Sequence, residues 1–136
     1  MVPEATEEFG PDRYGESFAD VYDEWYDDVS DAEATAAFID RFGDHQRVLE
    51  LGVGTGRLST PIAQHGHAVV GIDASVSMLE RFRSTDGATA VGADMAALPF
   101  ADGRFDSVLV ATNTLFNLHS EPAQAHCLTE CRRVLR

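Results

Sequence analysis

Three glycines at alternate positions, Gly52, Gly54 and Gly56, follow an apolar run that carries one acid, Glu50. Two further acids, Asp73 and Asp94, lie downstream, each just beyond a short β-forming stretch. A turn without Cβ atoms lets a ligand lie against bare backbone N–H groups. An acid at the end of the neighbouring strand is placed to accept hydrogen bonds from both hydroxyls of a ribose. The chemistry open to this set is the binding of a nucleoside-containing ligand. The spacing Gly-x-Gly-x-Gly differs from the dinucleotide fingerprint Gly-x-Gly-x-x-Gly, because Arg57 stands where the third glycine would let helix and strand close around a pyrophosphate. The expected ligand therefore has no pyrophosphate.

These residues need strands to carry them. Val48, Leu49 and Leu51 read as a strand over 47–51 covered on both faces, as in parallel sheets. A helix is predicted from about Arg57, with Leu58, Ile62 and His65 on one face. Pro61 lacks an N–H and must sit in its first turn, and Gly66 stops it. A second strand over 67–72 ends in Asp73. Ser75 then caps a helix that buries Met78, Leu79 and Phe82. Asp86 and Gly87 turn the chain into a short third strand, 89–91, which leads to Gly92, Ala93, Asp94 and Met95. Residues 95–104 read as loop, 105–111 as the fourth strand and 112–119 as its exit loop. Ser120 caps a final helix with Glu121 and Pro122 in its first turn. Strands alternating with helices predict an α/β fold, a Rossmann-like parallel sheet with flanking helices and right-handed crossovers. Ligands of such sheets bind beyond the carboxyl ends of the strands.

The first third of the chain differs in character. Residues 1–15 are expected to form a flexible acidic arm, leaving 16–136 as the ligand-binding domain. Over 16–29, Phe18, Val21, Tyr22, Trp25, Tyr26 and Val29 recur at helical spacing, with acids on the opposite side. A second helix is predicted over 32–42, with Ala34, Ala37, Phe38 and Phe42 inward and Gly43 at its end.

The formal net charge is −13. Residues 1–44 hold fourteen acids against two arginines, whereas residues 45–136 hold nine acids against eight. No basic stripe exists to displace counterions, which disfavours nucleic acid and an anionic membrane surface as partners. All ten basic residues are Arg, a composition that suits either a salt-rich cytosol or a GC-rich genome. No stretch approaches the length of a membrane span and no basic-then-apolar leader pattern is present, so a cytoplasmic location is expected. Cys127 and Cys131, one helical turn apart, suit neither a disulfide nor a zinc site and are expected to pack as small hydrophobes. His65, His67, His119 and His126 do not form a metal-ligand set, and no metal is expected.

The run from Val48 to Leu58, the Gly71-Ile-Asp-Ala-Ser stretch followed by Met78 and Leu79, Gly92-Ala-Asp-Met and Phe105-Asp-Ser-Val-Leu resemble the successive motifs of class I S-adenosylmethionine-dependent methyltransferases. Four motifs in order, at matching intervals, are far more specific than any one of them. The resemblance extends over about 22–136. It implies that Glu50 and the loop of Gly52, Val53, Gly54, Thr55 and Gly56 hold the methionine moiety of S-adenosylmethionine, the carboxylate facing its ammonium. It places Asp73 on the ribose, Ala74 and Met78 against the adenine, and Ala93, Asp94 and Met95 at the other adenine edge. Thr112 and Asn113 would line the floor near the sulfonium, and Tyr22 and Tyr26 resemble aromatics that close over the cofactor. Asn113, Phe116 and Asn117 are candidates to face a small-molecule acceptor. The Asn-x-x-aromatic spacing at 113–116 lacks the prolines of enzymes that methylate nucleobases, so no nucleobase substrate is inferred.

Family members continue past the equivalent of Arg136 into Pro-Gly-Gly and three further strands. The resemblance therefore implies a fold truncated after the fourth strand and its helix, with the cofactor-binding portion whole and much of the acceptor-binding portion missing. The strand at 105–111 is then expected to be an open, apolar edge, suited to a homodimer or a partner chain. An NAD-type oxidoreductase domain and a non-catalytic cofactor-binding subunit are the alternative functions.

Overall fold

A computed structural model of the protein describes residues 32–136. The expected arm at 1–15 and the aromatic helix at 16–29, with Tyr22 and Tyr26, lie outside the described residues.

Helix α1 (Ala32–Asp40) precedes strand β1 (Arg47–Leu51), and α2 (Ser59–Gln64) leads to β2 (Ala68–Asp73). The short helix α3 (Val76–Glu80), β3 (Ala88–Gly92), β4 (Ser107–Val110), a 3₁₀ turn (Thr114–Asn117) and α4 (Glu121–Val134) complete the described chain. The four strands form one parallel sheet in the order β3-β2-β1-β4. The chain moves outward from β1 to β3 and then returns to the other side of β1. The carboxyl ends of β1 and β4 thus flank the point where strand order reverses, the place where such sheets bind ligands.

The strand period of two explains the layers. Leu49 and Leu51 join Ile72, Phe105, Cys127, Cys131 and Val134 in the core under α4. Val48 points the other way, to Ala36, Ile39, Leu58 and Ile62 beneath α1 and α2. Each such aliphatic side chain, fully buried, contributes on the order of 1.5–3 kcal/mol. Cys127 and Cys131 are free thiols packed as small hydrophobes. Ser75 and Ser120 cap α3 and α4, accepting from the N–H groups of Met78 and Ala123. Pro61 falls in the first turn of α2, though that helix starts at Ser59 rather than Arg57. Among the described residues no helix is long and apolar enough to cross a membrane.

Two expectations need correction. In α1 the buried residues are Ala36 and Ile39, whereas Ala34 and Ala37 are exposed. Phe38 and Phe42 are also exposed and stack edge-to-face on each other, with the Arg41 guanidinium over Phe38. The helix phase is set instead by polar links on the Glu33–Asp40 side. His65 meets Asp40 Oδ2 at 2.8 Å through Nδ1 and Glu33 Oε1 at 2.6 Å through Nε2. His67 accepts the Gln46 N–H on Nδ1, so its Nε2–H donates to Asp40 Oδ1 at 2.8 Å. The edge at β4 is also less bare than expected. Phe105 forms a parallel bridge with Leu135, its N–H donating to Val134 O and its carbonyl accepting from the Arg136 N–H. From Ser107 onward β4 pairs with β1 on one side and lies outermost among the described strands.

Candidate functional site

The loop after β1 is stitched to its neighbours before any ligand arrives. The Val53 N–H donates to Ile72 O at 2.9 Å, carrying the β1–β2 ladder one residue further. The Gly54 N–H donates to Asp73 Oδ2 at 2.9 Å, and the Ser75 N–H to Asp73 Oδ1 at 2.8 Å. Arg83 N–H donates to Thr55 O from the far side. Val53 and Thr55 bury their side chains, so at these two positions it is main chain that the loop offers to a ligand. Val53 fills the space where Gly71 has no Cβ, which fixes glycine in the middle of β2.

Gly52 is another point where the backbone is closely approached. Its φ is +68°, and a Cβ there would lie 2.5 Å from Thr114 Cγ2. The exit loop of β4 therefore folds directly over the glycine loop. It does so through Thr112, a non-glycine residue at φ +54°, a conformation costly for a β-branched side chain. Strain of this kind concentrates where the surrounding structure must hold an unusual shape.

Asp73 is half-buried at the carboxyl end of β2. Each of its oxygens takes one backbone N–H, and a carboxylate oxygen can accept a second hydrogen bond. A vicinal diol presents two donors to such a pair of oxygens. Beyond it the Ala93 N–H donates to Asp73 O at 3.1 Å, which brings the 93–95 segment beside the same strand end. Asp94 is exposed and accepts the Ala96 N–H on Oδ1 at 2.8 Å. Met95 is buried in the core under α4. Met78 is only 2% exposed, while Ala74 is half-buried. Asn113 and Phe116 are exposed and Asn117 half-buried on the β4 exit loop.

Glu50 is the one acid on β1, paired in register with Gly71 of β2 and Leu109 of β4. It is 3% exposed. Burial pushes its carboxyl up to about 7, against the opposing pull of a hydrogen bond from Ser59 and the positive charge of Arg57, while Asp73 raises it further. The Ser59 hydroxyl donates to Glu50 Oε2 from the first residue of α2. Ser59 and Thr114 are the two site residues that pattern reading missed. A buried acid in a strand calls for a donor, and Ser59 opens the helix that follows the glycine loop; that was the available signal. Nothing in the local pattern at 112–116 signals that Thr114 lies over Gly52.

Residues 48–136 match the family model described as a methyltransferase domain. The demethylmenaquinone methyltransferase of Renibacterium salmoninarum is 37% identical over 92 residues, covering 67% of this chain and 37% of that protein. Among solved structures, the CcbJ methyltransferase from Streptomyces caelestis superposes with a TM-score of 0.85 at 35% identity, over 94% of this chain and 55% of that one. The glycopeptide N-methyltransferase MtfA complexed with sinefungin gives 0.68 at 28% identity, over 79% and 47%. The chain thus spans well under two thirds of the length of each of these relatives.

Proposed function

This chain belongs to the class I S-adenosylmethionine-dependent methyltransferases, and on that footing we propose that its sheet binds S-adenosylmethionine for methyl transfer to a small-molecule acceptor. The observation that carries this reading is the Asp73 carboxylate, whose two oxygens are fixed at the end of β2, beside the glycine loop, by the Gly54 and Ser75 N–H groups. A ribose with two adjacent hydroxyls fits that pair. The main chain at Gly52, Gly54 and Gly56 would receive the methionine moiety, with Glu50 as counter-charge to its ammonium. Ala74 and Met78 on one side, and Ala93, Asp94 and Met95 on the other, would bound the adenine. Tyr22 and Tyr26 complete this reading as covers.

The cofactor supplies a methyl group on a sulfonium sulfur, open to in-line displacement. The protein's task is then to hold donor and acceptor in line and keep water out. Thr112 and Asn113 lie on the β4 exit loop that folds over the glycine loop, and Phe116 and Asn117 follow on the same loop toward an acceptor. Phe116 is 65% exposed, as a residue awaiting a partner surface or substrate would be. The free thiols of Cys127 and Cys131 suit a cytoplasmic protein. The outer side of β4 beyond Ser107 is where a second copy or a partner strand would pair. The test is a thermal-shift comparison. S-adenosylhomocysteine is expected to raise the melting temperature and NAD to leave it unchanged; stabilisation by NAD alone would replace this reading with an oxidoreductase domain.

A further inference from the structure

We propose that Ser59 is a positioning residue for the amino-acid end of the ligand, holding the Glu50 carboxylate charged and aimed beneath the glycine loop. The inference rests on the reading that this loop takes S-adenosylmethionine. Three observations support it. Ser59 is completely buried, so its hydroxyl has no water to serve and is spent on Glu50. Glu50 accepts the Ser59 hydroxyl hydrogen inside a strand flanked by Gly71 and Leu109, neither of which offers a polar side chain. The pair also spans the loop, Glu50 lying two residues before Gly52 and Ser59 three residues after Gly56.

A carboxylate taken out of water reverts to its neutral form unless donors or opposite charge compensate it. The charged groups acting on Glu50 are Arg57, between the loop and α2, and Asp73 on β2, with opposite signs. Ser59 tips that balance. Burial raises Glu50 and the Ser59 hydroxyl lowers it again, leaving it at about 7 with both acting, so loss of that hydroxyl moves it further towards the neutral form. A ligand ammonium arriving at the loop then meets a counter-charge whose presence depends on Ser59.

Two ligands separate this role from a structural one. S-adenosylhomocysteine carries the amino-acid end, whereas methylthioadenosine shares the nucleoside and lacks the ammonium. Calorimetry of both is run across the pH range around 7 with wild type, Ser59→Ala, Ser59→Thr and Glu50→Gln. Ser59→Ala is expected to weaken S-adenosylhomocysteine about tenfold near pH 7 and to move its binding midpoint to higher pH. Methylthioadenosine affinity should stay as in wild type, and Ser59→Thr should restore the profile. Glu50→Gln, which keeps the shape of the pair without the charge, should flatten the pH dependence and supplies the test should Ser59→Ala not fold. A wild-type profile in Glu50→Gln, or equal losses for both ligands in Ser59→Ala, would overturn the proposal while leaving the cofactor reading intact. Failure of wild type to bind either ligand would remove the cofactor reading, and this proposal with it.

Discussion

The carboxylate of Asp73 accepts the N–H of Gly54 at 2.9 Å, joining the end of β2 to the middle of the glycine loop across 19 residues of sequence. Its other oxygen holds the Ser75 N–H that begins the α3 cap. One side chain therefore shapes the turn on both sides of the proposed ribose position. Asp73→Ala removes two charge-assisted bonds to backbone, so it should cost about 1–3 kcal/mol of stability and weaken S-adenosylhomocysteine at least tenfold. Urea denaturation and calorimetry check the two effects separately. Unchanged affinity in the folded variant would take Asp73 out of the site.

Thr112 holds φ +54° where the β4 exit loop turns over Gly52. Asn tolerates that conformation better than a β-branched residue. Thr112→Asn is expected to stabilise the chain by about 1 kcal/mol, read as a higher denaturation midpoint. A lower midpoint would mean that contacts of the threonine side chain outweigh the strain.

Arg133 on α4 donates to Leu98 O, Phe100 O, Asp102 and Glu130, and Glu130 in turn accepts the Leu98 N–H. The 98–102 loop beyond Asp94 is pinned by this fork. Arg133, followed by the Leu98 N–H, holds the Glu130 carboxyl down to about 2. A lowered acid stabilises the fold above its ordinary range near 4.5 and loses that contribution as pH falls towards 2. Protection of the Leu98 amide, the intrinsic exchange rate relative to the observed rate at the same pH, should therefore fall over that window, and Arg133→Ala should lower it already at neutral pH. An unchanged Leu98 rate in Arg133→Ala would show that the loop is held by other contacts.

His65 places both ring nitrogens on carboxylates, Asp40 and Glu33, and these hydrogen bonds raise its pKa. Its stabilisation of α1 is present below the ordinary histidine value of 6.5 and disappears as pH climbs through the raised one. Asp40 behaves oppositely: His65 and then His67 lower its pKa, so its share is lost as pH falls below 3.8. Protection of α1 amides should peak between the two limits and fall on either side. His65→Gln is expected to abolish the alkaline fall; its persistence would assign that limb to another group.

Most of the sheet was legible because its signals are local. An apolar β1 run, glycines after it, Pro61, and serines at two helix starts each dictate structure within a few residues of themselves. What escaped was decided across the fold. The phase of α1 follows from Asp40 meeting His65 and His67, 25 and 27 residues away, and no periodicity within 32–42 encodes that. Thr114 over Gly52 and Leu135 beside Phe105 are contacts between segments far apart in sequence. Glu50 and Asp73 announced themselves as acids beside glycines, but the partners that orient them became visible only in three dimensions.

The main chain between β1 and α2, closed by the end of β2, is the proposed seat of an adenosyl amino acid. The most direct test is an amide-resolved NMR titration of this chain with S-adenosylhomocysteine. Saturable shifts are expected at Gly52, Gly54, Gly56, Asp73, Ala74, Asp94 and Asn113, with α1 and the far face of α4 unmoved. Shifts centred elsewhere on the sheet, or none at saturating ligand, would contradict this placement.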